Sequence, residues 1–185
     1  MKRFITLFAM LLVTASVMMA QDASKRYGIK TGKITTVTEM MGQKIESPSW
    51  FDDYGARVVT KASMNGIEVT QIVLGEKTYT VIHSAKQVQE TPTQESINYL
   101  NLDEATIAKY KIMEDGKETV AGKECTRYKM EVSQMGQTAK MTVSVWQGFP
   151  MKMVTNSMGM DITTTITEVT ECEVDASLFE IPSFK

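Results

Sequence analysis

Apolar and polar residues alternate with a period of two along most of the chain after residue 30, which is typical of β-strands with one buried face. The alternating segments are 32–41, 67–74, 78–83, 123–132, 139–146, 151–156 and 162–170. Residues 50–63 predict a hairpin around Asp52, Asp53 and Gly55, and Gly75-Glu76-Lys77 predicts another hairpin loop. Eight or more strands with short, mostly glycine-containing links predict one large antiparallel sheet in meander order.

The middle of the chain breaks this pattern. Residues 86–99 are polar and contain Pro92, so they predict a loop or a frayed helical segment. Residues 101–110 are the best helix candidate, with Asn101 or Asp103 as the cap. The fold class is therefore mainly β with minor α. We expect a curved antiparallel sheet, a half-open barrel, whose concave face is covered by this helical or loop insert.

The alternation also predicts which side chains share a face. Apolar residues recur at every second position of the strands, and many of them are methionines. Methionine is unbranched and polarisable, so it suits a surface that adapts to apolar ligands, although a loosely composed core explains it equally well. The candidate ligand lining, inferred from strand face alone, is Trp50, Tyr128, Met130, Val132, Met141, Val143, Val145, Met151 and Met153.

The N-terminus has the features of a secretory signal peptide. Lys2 and Arg3 are basic, Phe4–Val13 is apolar, and Ala15–Ala20 supplies small residues for cleavage. The apolar stretch is shorter than the roughly 20 residues of a membrane span. We expect a signal peptide over 1–20 and a single domain over 21–185. No cysteine follows the apolar core, so we expect no lipid anchor and a periplasmic location, with secretion as the second choice.

The net charge of the chain argues against one class of binding partner. The chain has 20 Lys and Arg against 22 Asp and Glu, and loss of Lys2 and Arg3 leaves 18 against 22, a net charge of −4. A mildly acidic domain without a basic run is a poor candidate for nucleic-acid binding. No later segment is apolar for long enough to predict a membrane span.

Two metal or catalytic interpretations find little support. Met151-x-Met153 and Met158-x-Met160 have the spacing of paired soft ligands for Cu(I), but the methionines scatter along the sequence, so an apolar lining is favoured and no metal is expected. His83 and Ser84 are neighbours on a strand and point to opposite faces. With no phosphate-loop, zinc or dinucleotide pattern, we expect no enzyme and no cofactor.

Cys125 and Cys172 are candidates for a disulfide, because an exported protein meets an oxidising compartment. Two other predicted strands separate them, however. Neighbouring strands lie about 4.8 Å apart, so the bond requires the sheet to curl back or Cys172 to lie beyond its strand.

Four stretches in order carry a family resemblance: Phe51-Asp52-Asp53-Tyr54-Gly55, residues 120–129 (VAGKECTRYK), residues 145–152 (VWQGFPMK) and Phe179-Glu180-Ile181-Pro182. The chain resembles the periplasmic lipoprotein-carrier superfamily, the LolA, LolB and LppX-like proteins, and is most similar to its small members with a domain-of-unknown-function label. The resemblance implies a half-open barrel around a helical plug, with an apolar cavity for lipid or lipoprotein acyl chains, and residues 86–112 as the lid.

Two functions follow as hypotheses. The first is a non-enzymatic periplasmic binding or carrier protein for an apolar ligand, a lipid or an acylated protein. The alternative is an envelope interaction or stress-related scaffold that binds a protein partner and holds no small ligand. In that case the apolar face is filled by the protein's own side chains.

Overall fold

A computed structural model describes residues 25–40, 42–64, 66–94, 96–134, 137–157 and 160–184. The predicted signal peptide, residues 1–20, lies outside the described residues, as do Met41 and Met158.

Within the described residues, eleven strands form one antiparallel sheet. The strands are β1 Gly32–Met40, β2 Gln43–Asp52, β3 Arg57–Met64, β4 Ile67–Leu74, β5 Lys77–Ile82, β6 Gln87–Pro92, β7 Met113–Val120, β8 Lys123–Gln134, β9 Gln137–Trp146, β10 Phe149–Ser157 and β11 Met160–Glu171. Their order is β6-β5-β4-β3-β2-β1-β11-β10-β9-β8-β7. The predicted open, curved sheet is confirmed.

The sheet consists of two meanders, β1 to β6 and β7 to β11, which join where β1 pairs with β11. This central pairing runs from Gly32 opposite Glu171 to Met40 opposite Ile162, with one bulge beyond Thr35. The two edge strands, β6 and β7, are consecutive in sequence and lie at opposite edges. The chain between them, residues 93–112, therefore has to cross the sheet.

The prediction of a loop at 86–99 is wrong for Gln87–Pro92, which is strand β6, and β7 was not predicted at all. Both are edge strands. Every residue of β6 is exposed, and β7 is mostly exposed and carries a bulge between Glu114 and Lys117. Polar side chains, Pro92 and a bulge are typical protections of a sheet edge. Because neither face of these strands is buried, the hydrophobic alternation that reveals inner strands is missing.

The predicted helix is confirmed as α1, Glu104–Tyr110, and the cap is Asp103. The Asp103 carboxylate accepts a hydrogen bond from the Thr106 backbone N–H at 2.6 Å, which satisfies one of the free N–H groups of the first turn. Lys111 ends the helix in the left-handed conformation, and Ile112 N–H bonds the Ile107 carbonyl at 3.0 Å. We call residues 93–112, which contain α1, the insert.

Aromatic side chains close one end of the sheet. Tyr27, from the segment before β1, stacks on Phe149 at 4.2 Å between ring centroids and meets the edge of Phe51 at 5.2 Å. Phe51 and Phe149 are 0% exposed. Gly148 lies close beneath this segment, since a Cβ there would be 2.1 Å from the Arg26 carbonyl oxygen. We call this cluster, centred on Tyr27, Phe51 and Phe149, the aromatic end.

Candidate functional site

The register of the pairing assigns each strand position to a face. Tyr128 lies opposite Val143, Val143 opposite Met153, and Met153 opposite Thr164. These positions therefore share one face of the sheet. Residues of the insert pack against it, so we call it the insert face.

An apolar cluster lies between the insert and strands β8, β9 and β10. Its buried members are Ile97, Ile112, Met130, Val143, Val145 and Met153. Around them pack the partly buried side chains of Tyr99, Leu102, Tyr110, Tyr128, Val132 and Met141. We call these twelve residues the insert-covered cluster.

Seven residues of the predicted lining meet in this cluster. They are Tyr128, Met130, Val132, Met141, Val143, Val145 and Met153. Strand alternation was enough to bring them together, because β8, β9 and β10 pair without a register shift between Tyr128 and Met153. The residues that the insert contributes to the cluster were not predicted, since Ile97, Tyr99 and Ile112 lie in irregular chain with no period to interpret.

Trp50 does not join them. The face of Tyr128 continues through Thr164 and Thr38 to Ile45, five positions before Trp50, so Trp50 faces the opposite way. On this opposite face the ammonium groups of Lys33 and Lys61 lie 5.8 and 5.3 Å from the centroid of the Trp50 indole ring. The sequence pair Trp50-Phe51 offers two aromatic residues on opposite faces, and alternation alone does not say which of them is on the insert face.

Met151 is also placed elsewhere. The pairing of β10 with β9 shifts by one residue between Pro150 and Lys152, and Met151 lies at this bulge. Its fully buried side chain belongs to the cluster of Phe149 and Phe51 rather than to the insert-covered cluster. A bulge is not visible in a period of two, so the sequence could not separate Met151 from Met153.

Tyr99 connects the insert to the sheet through two contacts. Its ring stacks on Tyr128 at 6.3 Å between centroids, and its hydroxyl donates to Met130 Sδ at 3.6 Å. Burial raises the pKa of Tyr99, and the nearby Tyr110 and Tyr128 raise it further. The neutral phenol is therefore the form that fits under the insert.

The helix of the insert is held weakly. No residue of α1 is buried, and Ile107 is 38% exposed. At the end of the helix, Lys111 Nζ lies 2.5 Å from Glu131 Oε2 of β8, in an exposed ion pair. Exposed pairs contribute only about 0–1 kcal/mol. The cover over the cluster thus combines two partly buried tyrosines, Tyr99 and Tyr110, a few aliphatic side chains and a surface salt bridge.

One buried polar group of the insert itself lacks a partner among the described residues. Ser96 is 8% exposed, and its hydroxyl forms no hydrogen bond with the described residues. It directly precedes Ile97 of the insert-covered cluster. Buried hydroxyl groups nearly always have a partner, so an exception marks a place where water or a ligand group fits.

The candidate disulfide is absent. Cys125 and Cys172 are both free thiols, the first buried and the second exposed. Strands β9 and β10 separate β8, which holds Cys125, from β11, and Cys172 directly follows β11 on the open sheet. Burial raises the pKa of the Cys125 thiol, which leaves it in the unreactive protonated form.

The described residues offer no group of three or more His, Cys, Asp or Glu side chains that would hold a metal ion. His83 Nε2 lies 2.9 Å from Thr70 Oγ1 and so has a structural partner. Within the described residues, no helix is long enough and apolar enough to cross a membrane. The insert-covered cluster can enclose apolar surface.

Comparison with known proteins shows which folds this architecture resembles. A family described as Domain of unknown function (DUF4412) matches residues 131–184. No curated protein sequence matches the chain. An uncharacterized conserved protein from Thermus thermophilus superposes with a TM-score of 0.61 at 8% identity, over 87% of this chain and 91% of the other. Since identity is this low, the likeness concerns the fold alone.

A structure of the MucA/MucB complex of Pseudomonas aeruginosa superposes with a TM-score of 0.56 at 15% identity, covering 86% of this chain. This chain spans 58% of the matched chain's length. The lipoprotein LppX of Mycobacterium tuberculosis aligns over 78% of this chain and 89% of its own, with 11% identity and a TM-score of 0.45, too low to support an argument. The likeness of fold thus rests on the structures with TM-scores above 0.5, and the predicted resemblance to proteins with a domain-of-unknown-function label is confirmed by the match over residues 131–184.

Proposed function

We propose that the protein is a non-enzymatic binding protein for an apolar ligand, a lipid or the acyl chain of a lipoprotein, and that the insert-covered cluster is its site. The observation that supports this most directly is the weak cover. A methionine-rich apolar face is enclosed by a crossing segment whose helix contributes no buried residue. A segment held in this way opens at low cost in free energy.

The side chains of the cluster suit such a ligand. Met130, Met141 and Met153 repack around chains of different shape more easily than branched residues do. Tyr99 and Tyr128 add flat aromatic surface at the junction with the insert. The unpartnered hydroxyl of Ser96 supplies a hydrogen bond for a polar head group. Together these groups favour an amphiphile with a flexible apolar tail.

Native mass spectrometry of residues 21–185 isolated from the producing cells, followed by solvent extraction, tests this function. We expect a co-purifying lipid or acylated peptide. The double variant Met141→Asp with Met153→Asp places two charges in the cluster and should lose the ligand while circular dichroism still shows a folded sheet. Thr142→Asp, on the same strand but the opposite face, is the matched control and should retain it.

The ion pair at the end of the insert gives a second test. Lys111→Glu places two carboxylates together, should loosen the cover, and should strengthen binding of an apolar dye a few-fold, since the open state becomes more populated. Glu131→Lys in the same molecule restores the pair and should restore the original affinity. An unliganded mass together with no dye binding by any of these proteins would contradict the proposal.

A second candidate function is binding of a protein partner, and the MucA/MucB likeness supports it, because that structure is a complex of two proteins. Here the insert-covered cluster is only a core, and the sheet is a scaffold. The mass experiment separates the two functions, since a protein in the isolated complex and no lipid would favour this alternative.

We also infer that the chain is exported, with residues 1–20 as the cleaved signal peptide and the domain at work in the periplasm. The basic, apolar and small-residue order of these twenty residues supports this. Expression of the full chain should yield a periplasmic protein whose N-terminal sequence starts near Gln21, and a cytoplasmic protein that still carries Met1 would contradict it.

A further inference from the structure

Among the described residues, two buried polar side-chain groups have no hydrogen-bond partner. They are Nη1 of Arg26 and the hydroxyl of Ser96. Buried polar groups in folded proteins are nearly always paired, and leaving a charged group unpaired costs more free energy than leaving a neutral one unpaired. Arg26 and Ser96 are thus the described positions where a bound group would complete the hydrogen bonding.

Arg26 is a buried cation without a carboxylate partner. Its Nη2 donates to the Gly55 carbonyl, whereas Nη1 has no partner. None of the ion pairs between described residues includes Arg26. Burial lowers the pKa of its guanidinium, but arginine remains protonated in folded proteins. Its positive charge is therefore not neutralised by any described residue.

Backbone hydrogen bonds bring the start of the insert close to Gly55. The N–H of Gly75 donates to the carbonyl of Ala56, the residue after Gly55, at 3.4 Å. The N–H of Thr93 donates to the carbonyl of Glu76 at 2.8 Å. The two hairpin links at this end of the sheet are therefore neighbours, and the insert begins beside them.

The insert then reaches the segment that holds Arg26. Asn98 Nδ2 donates to the carbonyl of Lys25, the residue before Arg26, at 3.3 Å. Residues 93–98 are thus bound at both ends. Ser96 is only two residues from Asn98, which is at most about 7 Å along the chain. The two unpartnered groups therefore belong to one corner of the protein, which we call the arginine corner.

The arginine corner adjoins the insert-covered cluster. Ser96 directly precedes Ile97, a buried member of that cluster. A ligand whose apolar tail lies beneath the insert would therefore have its head group at this corner.

The chemistry of the corner selects an anionic head group. Guanidinium and hydroxyl groups donate hydrogen bonds, and a carboxylate or phosphate accepts them and supplies the negative charge that Arg26 lacks. A cationic head group would be repelled. An uncharged head group would leave the buried charge of Arg26 without a counter-ion.

We propose that the arginine corner binds the oxyanion head group, a carboxylate or a phosphate, of a ligand whose apolar tail occupies the insert-covered cluster. Arg26 Nη1 is the charged donor, and the Ser96 hydroxyl is the second donor. This inference rests on the proposed function and goes beyond it, because it assigns a negative charge to the ligand. Both donors are covered, so the head group enters when residues 93–98 lift and the hydrogen bond from Asn98 to Lys25 breaks.

The test compares probes that share one tail and differ in the head group. Laurate, dodecyl phosphate and dodecanol are titrated into the lipid-free protein by calorimetry, below their micelle concentrations. Since hydrogen bonds to charged groups are stronger than those between neutral groups, we expect the preferred anion to bind at least about tenfold more tightly than dodecanol. The tighter of the two anions distinguishes a carboxylate head group from a phosphate. Equal affinity for all three probes would overturn the anion site and leave the apolar site, whereas no binding of any probe would overturn both.

Arg26→Gln removes the charge but keeps a hydrogen-bond donor. It should weaken binding of the preferred anion by about tenfold or more and binding of dodecanol by far less. Arg57→Gln is the matched control, because the Arg57 guanidinium already pairs with Asp52, and it should change neither affinity. Ser96→Ala should weaken binding of the anion by a smaller factor, about threefold to tenfold.

Circular dichroism shows whether Arg26→Gln still folds. If it does, a loss of anion affinity no larger than the loss of dodecanol affinity overturns the proposal. If it does not, the comparison of head groups on the unmodified protein decides.

Discussion

The aromatic end and the insert-covered cluster are both apolar, but they are built from different side chains and closed in different ways. At the aromatic end, Phe51 and Phe149 are 0% exposed. The ring centroids of Tyr27, Phe51 and Phe149 lie within 5.4 Å of one another. In the insert-covered cluster, methionines and tyrosines make up half of the twelve members, and half of the members are only partly buried. Closely packed aromatic rings hold one conformation. Flexible methionine side chains beneath a segment that can open allow the cluster to repack.

Backbone contacts show the same difference. The segment before β1 is bound at the aromatic end by hydrogen bonds from Arg26 and Tyr27 N–H to the Tyr54 carbonyl and from Gly28 N–H to the Gln147 carbonyl, at 2.9–3.1 Å. The side chain of Arg26 also donates to the Gly55 carbonyl. The insert contacts its cluster mainly through side chains. We infer that global stability depends mostly on the aromatic end and that the insert opens first.

The largest expected effect comes from Phe51→Ala, which removes a fully buried ring from its contacts with Tyr27 and Phe149. Truncations of this kind cost about 3–5 kcal/mol, and chemical denaturation should show a loss of this size. Met141→Ala, in the partly buried part of the other cluster, should cost clearly less. Equal losses for the two variants would contradict the difference between the regions.

Gly148→Ala should be the next most damaging change. Gly148 has a φ of +80°, and the new Cβ would be 2.1 Å from the Arg26 carbonyl oxygen. Gly122→Ala is the matched control, because Gly122 has a φ of +74° but open space around it. The control should cost about 1–2 kcal/mol for the left-handed backbone alone. Thermal unfolding of both variants measures the difference in stability. A Gly148 variant no less stable than the control would show that the segment before β1 moves away from the new side chain at little cost.

Alkaline pH should affect the insert through Tyr99. Its pKa is raised above the ordinary value of 10.0 by burial and by the neighbouring tyrosines, so the folded state holds the proton more tightly than the unfolded state. The stability that this contributes is complete below pH 10 and is lost as the pH rises through the raised pKa. Tyr99→Phe should therefore flatten the decline of stability above pH 10. An unchanged decline would mean that Tyr99 does not remain neutral under the insert.

Ser96→Ala is expected to have the smallest effect on stability, neutral or slightly stabilising, since it removes a buried hydroxyl without a partner. Its effect should instead appear in affinity, with weaker binding of a fatty acid and unchanged binding of an apolar dye that has no polar head. A clear loss of stability would show that the hydroxyl has a partner in the folded protein.

The sequence predicted most of the sheet, because inner strands with one buried face alternate regularly. Ile67–Leu74 was predicted with the bounds it has, and the helix cap was narrowed to two residues, one of which is correct. The edge strands were missed because both of their faces meet solvent. Of the nine residues predicted to share one apolar face, seven meet in the insert-covered cluster. Alternation did not place Met151, which a bulge displaces, or Trp50, because nothing in Trp50-Phe51 distinguishes one face from the other.

The most direct measurement titrates palmitate, as a simple acyl chain, into the protein with ¹³C-labelled methionine methyl groups, each signal assigned by a Met→Leu variant. If an apolar chain occupies the insert-covered cluster, the signals of Met130, Met141 and Met153 shift together and saturate, while that of the exposed Met113 stays fixed. Signals that remain fixed, or that shift equally for all methionines, would contradict a ligand site beneath the insert.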